Sequence, residues 1–431
     1  MNLQALWHSP RVWTMLSALL TRGVGFIASF SLAREAGAEA LSLYIALVIT
    51  AASVVAPFAQ VFLNASTMAA ARAQTRSWLS QFVLRNLLLG LVLAVPLLVV
   101  FAYLHWHVAA SSAVQLRVPL MWLGVVGISV VLAPLWQAVL TGAMNGSGWQ
   151  TSCAKVTALT AAVVLPFSYP AAHIAGVKGA WVVLLLSVWL PPLVLWLLWL
   201  RCRQQAATDL QTSIHQNLST PWRQSWLYFR DGLPNAGALL LGGMVTWWCS
   251  VHLPQKVWGA QGMAVLSINN QWLALILLPA TSWGSVALAE MARAHAADVS
   301  APQAWALVRR WLMRNVLVTG AVALCVIAVV PFLEKAYRIE GQSFRALLFV
   351  SAAAAMLSAA YAVFERALIC WGRQHYLLLI AGLAAFAQVV MTQVMVEQSL
   401  LYVQWAVLVG ACLMLGCGSF GFQLVLKKAR E

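Results

Sequence analysis

Arg22 is the residue whose chemistry most needs an explanation. It stands at the middle of an apolar run over residues 12–32, so reaching either interface would require about 15 Å along a helix. A lone arginine at the bilayer centre costs about 2.5–3.5 kcal/mol on insertion scales, and such residues face a protein interior or a wet cavity. Either an anionic ligand answers its charge, or it bonds helix carbonyls or a neighbouring amide such as Gln60 or Gln137. Lys155 lies about one turn from the cytoplasmic edge of its span, from where it can assist at an anion site or snorkel to the interface. Glu365 and Arg366 are adjacent near the cytoplasmic end of the tenth span, placed for a local ion pair or a gate contact. Asn235 follows Pro234, and Asn269, Asn270 and Gln271 are consecutive. These amides could bind sugar hydroxyls, since each donates and accepts at once, or could bond across helices.

The acids sharpen this reading. Residues 1–200 contain only Glu35 and Glu39, both expected in the first external loop. A cation-coupled exporter is expected to hold a buried Asp or Glu, and the first six spans offer none. A buried cation without a buried anion suits an anionic substrate. A diphosphate, matched to guanidinium by charge-assisted bidentate bonds, is the membrane-associated form of one. Neither catalytic residues nor cofactors are expected. The seven cysteines show no paired spacing, which implies neither a disulfide framework nor a zinc site. His105 and His107 lack the further ligands a metal needs and read as interfacial histidines.

The elements that must position these groups are membrane spans. Hydrophobic residues make up 62% of the 431-residue chain, charged residues only 9%, and the mean hydropathy is +0.82, which places the chain among integral membrane proteins. At about 20 apolar residues per crossing, the sequence predicts an all-α polytopic protein with twelve transmembrane helices in two six-helix lobes around a central cavity. The spans fall near 12–32, 41–63, 82–104, 118–141, 152–174, 179–200, 233–253, 262–289, 311–333, 345–370, 376–396 and 401–426. The first could pass for a signal peptide, but its length and Arg22 mark it as an uncleaved span. With both termini cytoplasmic, most of the 26 lysines and arginines fall in cytoplasmic segments, as the positive-inside rule requires. The net charge of +15 is therefore a topology signal that favours anionic lipid headgroups, and a nucleic-acid partner is not expected. Trp78, Trp149, Trp226, Trp258, Trp311 and Trp371 fall near span ends, where indole suits the interface.

The polar segment from Arg201 to about Tyr228 divides the chain into an N-terminal lobe over 1–200, a cytoplasmic linker over 201–230 and a C-terminal lobe over 231–431. No external loop is long enough for an extramembrane catalytic domain. Sequence similarity links the halves. Gly37-Ala38 recurs as Gly259-Ala260, Pro57 as Pro279, and Ala71-Arg72-Ala73 as Ala292-Arg293-Ala294. Duplicated lobes with an even number of spans share their orientation in the membrane. Pro57, Pro134, Pro166, Pro170, Pro191, Pro192 and Pro279 fall inside spans, where a freed carbonyl needs protein or water to satisfy it. They serve as static kinks or as bending points.

Thr21-Arg22-Gly23-Val24-Gly25-Phe26 and the run from Ser31 to Tyr44, with Gly232-Leu233-Pro234 opening the second lobe, resemble the polysaccharide-export flippases of the multidrug, oligosaccharidyl-lipid and polysaccharide exporter superfamily. The resemblance extends over the whole chain in length and layout, with short motifs. It implies twin bundles in the bacterial cytoplasmic (inner) membrane that pass an undecaprenyl-diphosphate-linked oligosaccharide to the periplasmic leaflet by alternating access, for O-antigen or exopolysaccharide synthesis. Arg22 matches the arginine of the Ser/Thr-Arg-x-x-Gly-Phe run in the related lipid II flippases, which implies contact with the diphosphate. The implied partners are the polyprenyl-diphosphate-linked glycan, membrane lipids and polysaccharide polymerase machinery. Two departures stand out. The chain lacks the two further spans of the lipid II branch, and Trp247, Trp248 and Cys249 occupy the stretch of span seven where relatives often carry a charged pair. Two other functions are compatible with the sequence: a cation-coupled multidrug or metabolite exporter of the same superfamily, and a non-transporting membrane component of glycan assembly.

Overall fold

The computed structural model describes residues 10–72, 76–111, 120–205, 221–296, 299–337 and 344–428. Among them every element is helical. In chain order these are α1 (Pro10–Glu35), α2 (Gly37–Arg72), α3 (Arg76–Ser111), α4 (Leu120–Gly146), α5 (Gln150–Gln205), α6 (Pro221–Trp247), a π-helical turn (Trp248–His252) and α7 (Leu253–Ile276). There follow α8 (Leu278–Ser282), α9 (Gly284–Ala296), α10 (Ala301–Ala328), α11 (Val330–Tyr337), α12 (Phe344–Cys370), α13 (Gln374–Met395) and α14 (Leu401–Lys428).

Ten helical stretches among the described residues are long and apolar enough to cross a membrane. Two of them, Gln150–Arg201 with 52 residues and Gly232–Ile276 with 45, would extend for roughly 70–80 Å if straight, against a hydrocarbon core of about 30 Å. Neither is straight. Gly176 (φ 57, ψ −134) and Gly259 (φ 65, ψ −161) leave the helical region inside them, in a conformation that glycine adopts without a Cβ penalty. Each stretch is thus a pair of spans, which gives the twelve crossings expected. Past Gly176 the chain folds back so closely that a Cβ on Gly179 would collide with the carbonyl of Ala171.

Two compact units are formed, Met1–Ala28 with Ala46–Leu240 and Ser29–Ile45 with Leu241–Glu431. In the first, α4 buries Val126, Val130, Val139 and Leu140. Gly142 lets α2 approach so near that a Cβ there would stand 2.5 Å from the Leu63 carbonyl, the close backbone contact that small residues permit in membranes. On its outer face α3 exposes Leu88, Val92, Val95 and Val99, the surface that lipid covers. In the second unit α12 is central and packs on α7, α10 and α14. Its buried stripe is alanine-rich, with Ala352, Ala355, Ala359 and Ala360, again a small-residue seam.

Pro279 behaves differently from the kink expected of it. It begins a new short helix, α8, after the helical ladder ends at Leu277. There its missing N–H costs nothing, because first-turn donors have no intrahelical partner. Pro57, by contrast, stays inside α2 and is buried.

Candidate functional site

Arg22 projects from α1 in the first unit. It is partly buried, and its Nη1 is fully buried without a hydrogen-bond partner. Gln60, one of the amides that could have held it, instead donates its Nε2 to Asn64 Oδ1 one turn further along α2, at 3.0 Å. The packing around Arg22 is apolar. Val24 clusters with Val164 and Val183, and a Cβ on Gly23 would meet Leu165 at 3.2 Å.

Those contacts also fix Lys155. On α5 its Nζ lies 5.3 Å from the centroid of the Trp13 ring, a cation–π distance, and Trp13 packs on Ala154 and Ala158. The first span and the fifth therefore run side by side and in register, Trp13 against Ala154–Ala158 and Val24 against Val164. Lys155 sits ten residues before Leu165, the residue that meets Gly23, which is about 15 Å of helix rise. The two cations stand at successive levels of one face of packing and do not share a pocket.

Asn235, on α6 and also in the first unit, is buried with Oδ1 unpartnered. One turn earlier, Gly232 brings α6 onto Val61 of α2, where a Cβ would be 3.0 Å from Val61 Cγ1.

In the second unit the three consecutive amides divide. Asn269 donates its Nδ2 to Ser351 Oγ at 2.8 Å. Ser351 lies 3.0 Å from Gln404 Oε1, and Gln404 Nε2 donates to Asn270 Oδ1 at 3.3 Å. Asn269, Ser351 and Gln404 are wholly buried, so this network ties α7, α12 and α14 together as interhelical bonds do in a membrane. Gln271 belongs to no part of it. Its Nε2 donates to Ser29 Oγ at 2.8 Å, and its Oε1 is buried with no partner.

Glu365 and Arg366 are adjacent on α12, yet no ion pair joins them among the described residues. Arg366 donates Nη1 to the Ala362 carbonyl at 3.0 Å and Nη2 to the Ala280 carbonyl at 3.2 Å. Ala280 lies in the broken segment that Pro279 opens, where helix-end carbonyls lack intrahelical donors. Gly284 makes this reach possible, since a Cβ there would come within 2.7 Å of the guanidinium carbon. The arginine thus braces a helix break, a role that spacing alone does not reveal.

His105 is buried, stacks on Phe101 at 5.7 Å, and leaves both ring nitrogens without a partner. The side chain of His107 lies outside the described residues. Among the described residues no cluster of three or more His, Cys, Asp or Glu side chains could hold a metal.

Solved structures share this fold. An outward-facing multidrug resistance MATE family transporter of the MOP superfamily matches over 99% of this chain and 98% of its own, with a TM-score of 0.66 and 15% identity. An inward-facing transporter of the same family matches over 100% and 96%, with a TM-score of 0.69 and 13% identity. A MOP superfamily transporter from Pyrococcus furiosus, described as having a binding pocket of reverse polarity that suggests a different function, matches over 99% and 98%, with a TM-score of 0.67 and 14% identity. No protein-family model matches the sequence, and no curated protein does.

Proposed function

We propose that this chain is an alternating-access transporter that carries an undecaprenyl-diphosphate-linked oligosaccharide from the cytoplasmic to the periplasmic leaflet of a bacterial inner membrane, for surface polysaccharide synthesis. The observation that carries the reading is the buried, unpartnered Nη1 of Arg22, in a sequence whose first 200 residues hold no acid beyond Glu35 and Glu39. An unpaired buried charge is costly, and a diphosphate oxygen supplies the missing partner with a charge-assisted bond. The register of the first and fifth spans adds a path. Lys155 meets the diphosphate near the cytoplasmic end and Arg22 receives it at mid-membrane, while the prenyl tail stays in lipid. The likeness to both outward- and inward-facing transporters supports alternating access between the lobes at 1–200 and 231–431.

The test is glycan-export complementation with Arg22→Ala and Arg22→Lys at matched expression. Loss of export with alanine and partial retention with lysine are expected; full activity of Arg22→Ala removes the role. A second reading, a cation-coupled multidrug or metabolite exporter, is favoured by the names of the structural neighbours and by Glu365, a carboxylate inside the span Phe344–Cys370. Under that reading Glu365→Gln abolishes drug resistance and Arg22→Ala does not.

A further inference from the structure

We propose that the outer face of α10 is a binding site for an anionic phospholipid, with Arg309 and Arg314 on its phosphate and Leu317 and Leu324 along an acyl chain. The helix packs on its own unit with one side only. Val308, Trp311 and Asn315 are buried there, and Asn315 Nδ2 donates to the Ala359 carbonyl of α12 at 3.3 Å. The opposite side is open. Arg310, Arg314, Leu317, Ala321 and Leu324 follow at intervals of three and four, which sets them in one stripe, and each is exposed. Arg309, next to Arg310, is exposed as well. Leu317 is 65% and Leu324 70% exposed, within a helix apolar enough to cross a membrane, so lipid tails rather than water cover this face. The stripe carries cations at one end and an apolar track beyond them, the same order of parts as a phospholipid.

The arginines differ in what answers their charge. Glu290 of α9 lies 3.7 Å from Arg310 Nη1, and through its other oxygen it accepts the Trp311 indole N–H at 3.0 Å. So held, the Trp311 ring stands 5.6 Å from the guanidinium carbon of Arg314, a cation–π distance that orients this arginine without neutralising it. Among the described residues neither Arg309 nor Arg314 forms an ion pair. One carboxylate set against Arg309, Arg310 and Arg314 leaves the cluster cationic. A phosphodiester accepts charge-assisted bonds from guanidinium, and basic clusters at a membrane surface draw anionic lipids. Arg314 stands about 6 Å of helix rise further along the span than Arg310, a depth from which a long side chain reaches back to the interface. A soluble acidic partner could answer the arginines but offers nothing to Leu317 and Leu324, whereas a lipid satisfies both parts of the stripe at once.

The test is native mass spectrometry of the full chain in detergent, titrated with phosphatidylglycerol and with phosphatidylcholine of the same acyl chains. Wild type is expected to bind phosphatidylglycerol more tightly. Arg309→Gln and Arg314→Gln should each weaken that binding by about fivefold, the worth of one arginine near a membrane surface. The double variant should lose more than either, with phosphatidylcholine unchanged. Lys427→Gln, which removes an exposed cation at the end of α14, should leave the preference intact and so separates this site from general attraction of charge. The site is independent of the proposed cargo, and Arg22→Ala should leave phosphatidylglycerol binding as it is. Equal binding of the two lipids by wild type, a double variant that keeps the preference, or an equal loss with Lys427→Gln overturns the site. So does a double variant that loses affinity for a bare prenyl diphosphate and not for phosphatidylglycerol, which would assign these arginines to the cargo. Should one single variant fail to fold, as judged by thermal unfolding, the other decides alone.

Discussion

Gly148 and Gly372, 224 residues apart in the sequence, occupy the same place in the same turn. Gly148 has φ 84 and Gly372 φ 70. In the first turn the Gly148 N–H bonds the Asn145 carbonyl at 3.2 Å and the Trp149 N–H the Met144 carbonyl at 2.8 Å. In the second the Gly372 N–H bonds Ile369 at 3.1 Å and the Arg373 N–H bonds Leu368 at 2.8 Å. Both are Schellman closures with glycine in the left-handed position. Gly37 (φ 83) and Gly259 (φ 65) also match as positive-φ glycines at helix breaks, at a separation of 222. Two turns at nearly one offset support duplication of the halves far better than the short stretches of matching sequence do.

Alanine at Gly148 and at Gly372 should therefore cost similar stability, about 1–2 kcal/mol each from the left-handed backbone. Asparagine, which tolerates that region, should cost less. Thermal unfolding of the purified protein in detergent measures both.

Gly284→Ala should drive the Arg366 guanidinium off the Ala280 carbonyl, since no room remains beside a Cβ. The guanidinium ends a flexible side chain and can swing aside, so the expected cost is the charged hydrogen bond lost to Ala280, about 1.5–3 kcal/mol. Arg366→Met should remove most of that penalty, so a double-mutant cycle on unfolding should show strong coupling.

Ser351→Ala should be more damaging than a serine-to-alanine change elsewhere on α12. It removes the hydroxyl bonded to Asn269 and lying beside Gln404 and leaves buried amides unpaired, at about 1–3 kcal/mol. Export at low temperature should survive if the loss is one of stability alone; a fall in the melting midpoint checks it.

Lys155→Met should raise the substrate concentration for half-maximal export and change the maximal rate less than Arg22→Ala does. The lysine sits about 15 Å of helix rise below the arginine's level and would act on arrival of the diphosphate. Transport assays in proteoliposomes over a range of glycolipid densities separate the two parameters.

Outward movement of about two negative charges from a negative interior gains roughly 4–5 kcal/mol at about 100 mV. Collapsing the potential in proteoliposomes should then slow export, whereas collapsing only the pH gradient should not. The opposite pattern would favour proton coupling through Glu365.

Hydropathy made the spans readable because a helix in hydrocarbon must satisfy its backbone internally and show apolar side chains outward. Arg22 was legible for the same reason, as an exception that the bilayer penalises. The amide run was less so. Asn269, Asn270 and Gln271 are alike in sequence, and only the placement of Ser351, Gln404 and Ser29 on other helices separates two structural amides from one with a free acceptor. Arg366 looked like half of an ion pair since its neighbour in sequence is an acid. In a helix, however, adjacent residues point about 100° apart, and the guanidinium instead bonds the Ala362 carbonyl of its own helix and the Ala280 carbonyl of the break that begins at Pro279.

The amide–hydroxyl network of the second unit limits how that unit can deform. Turning α7 about its own axis by a single residue would point Asn269 and Asn270 away from Ser351 and Gln404 and leave the wholly buried Asn269, Ser351 and Gln404 short of partners. Screw-like slippage of that helix is thereby ruled out as a low-energy coordinate. Whatever conformational cycle the protein follows, α7, α12 and α14 travel through it as one block, with flexing left to the glycine turns at its ends.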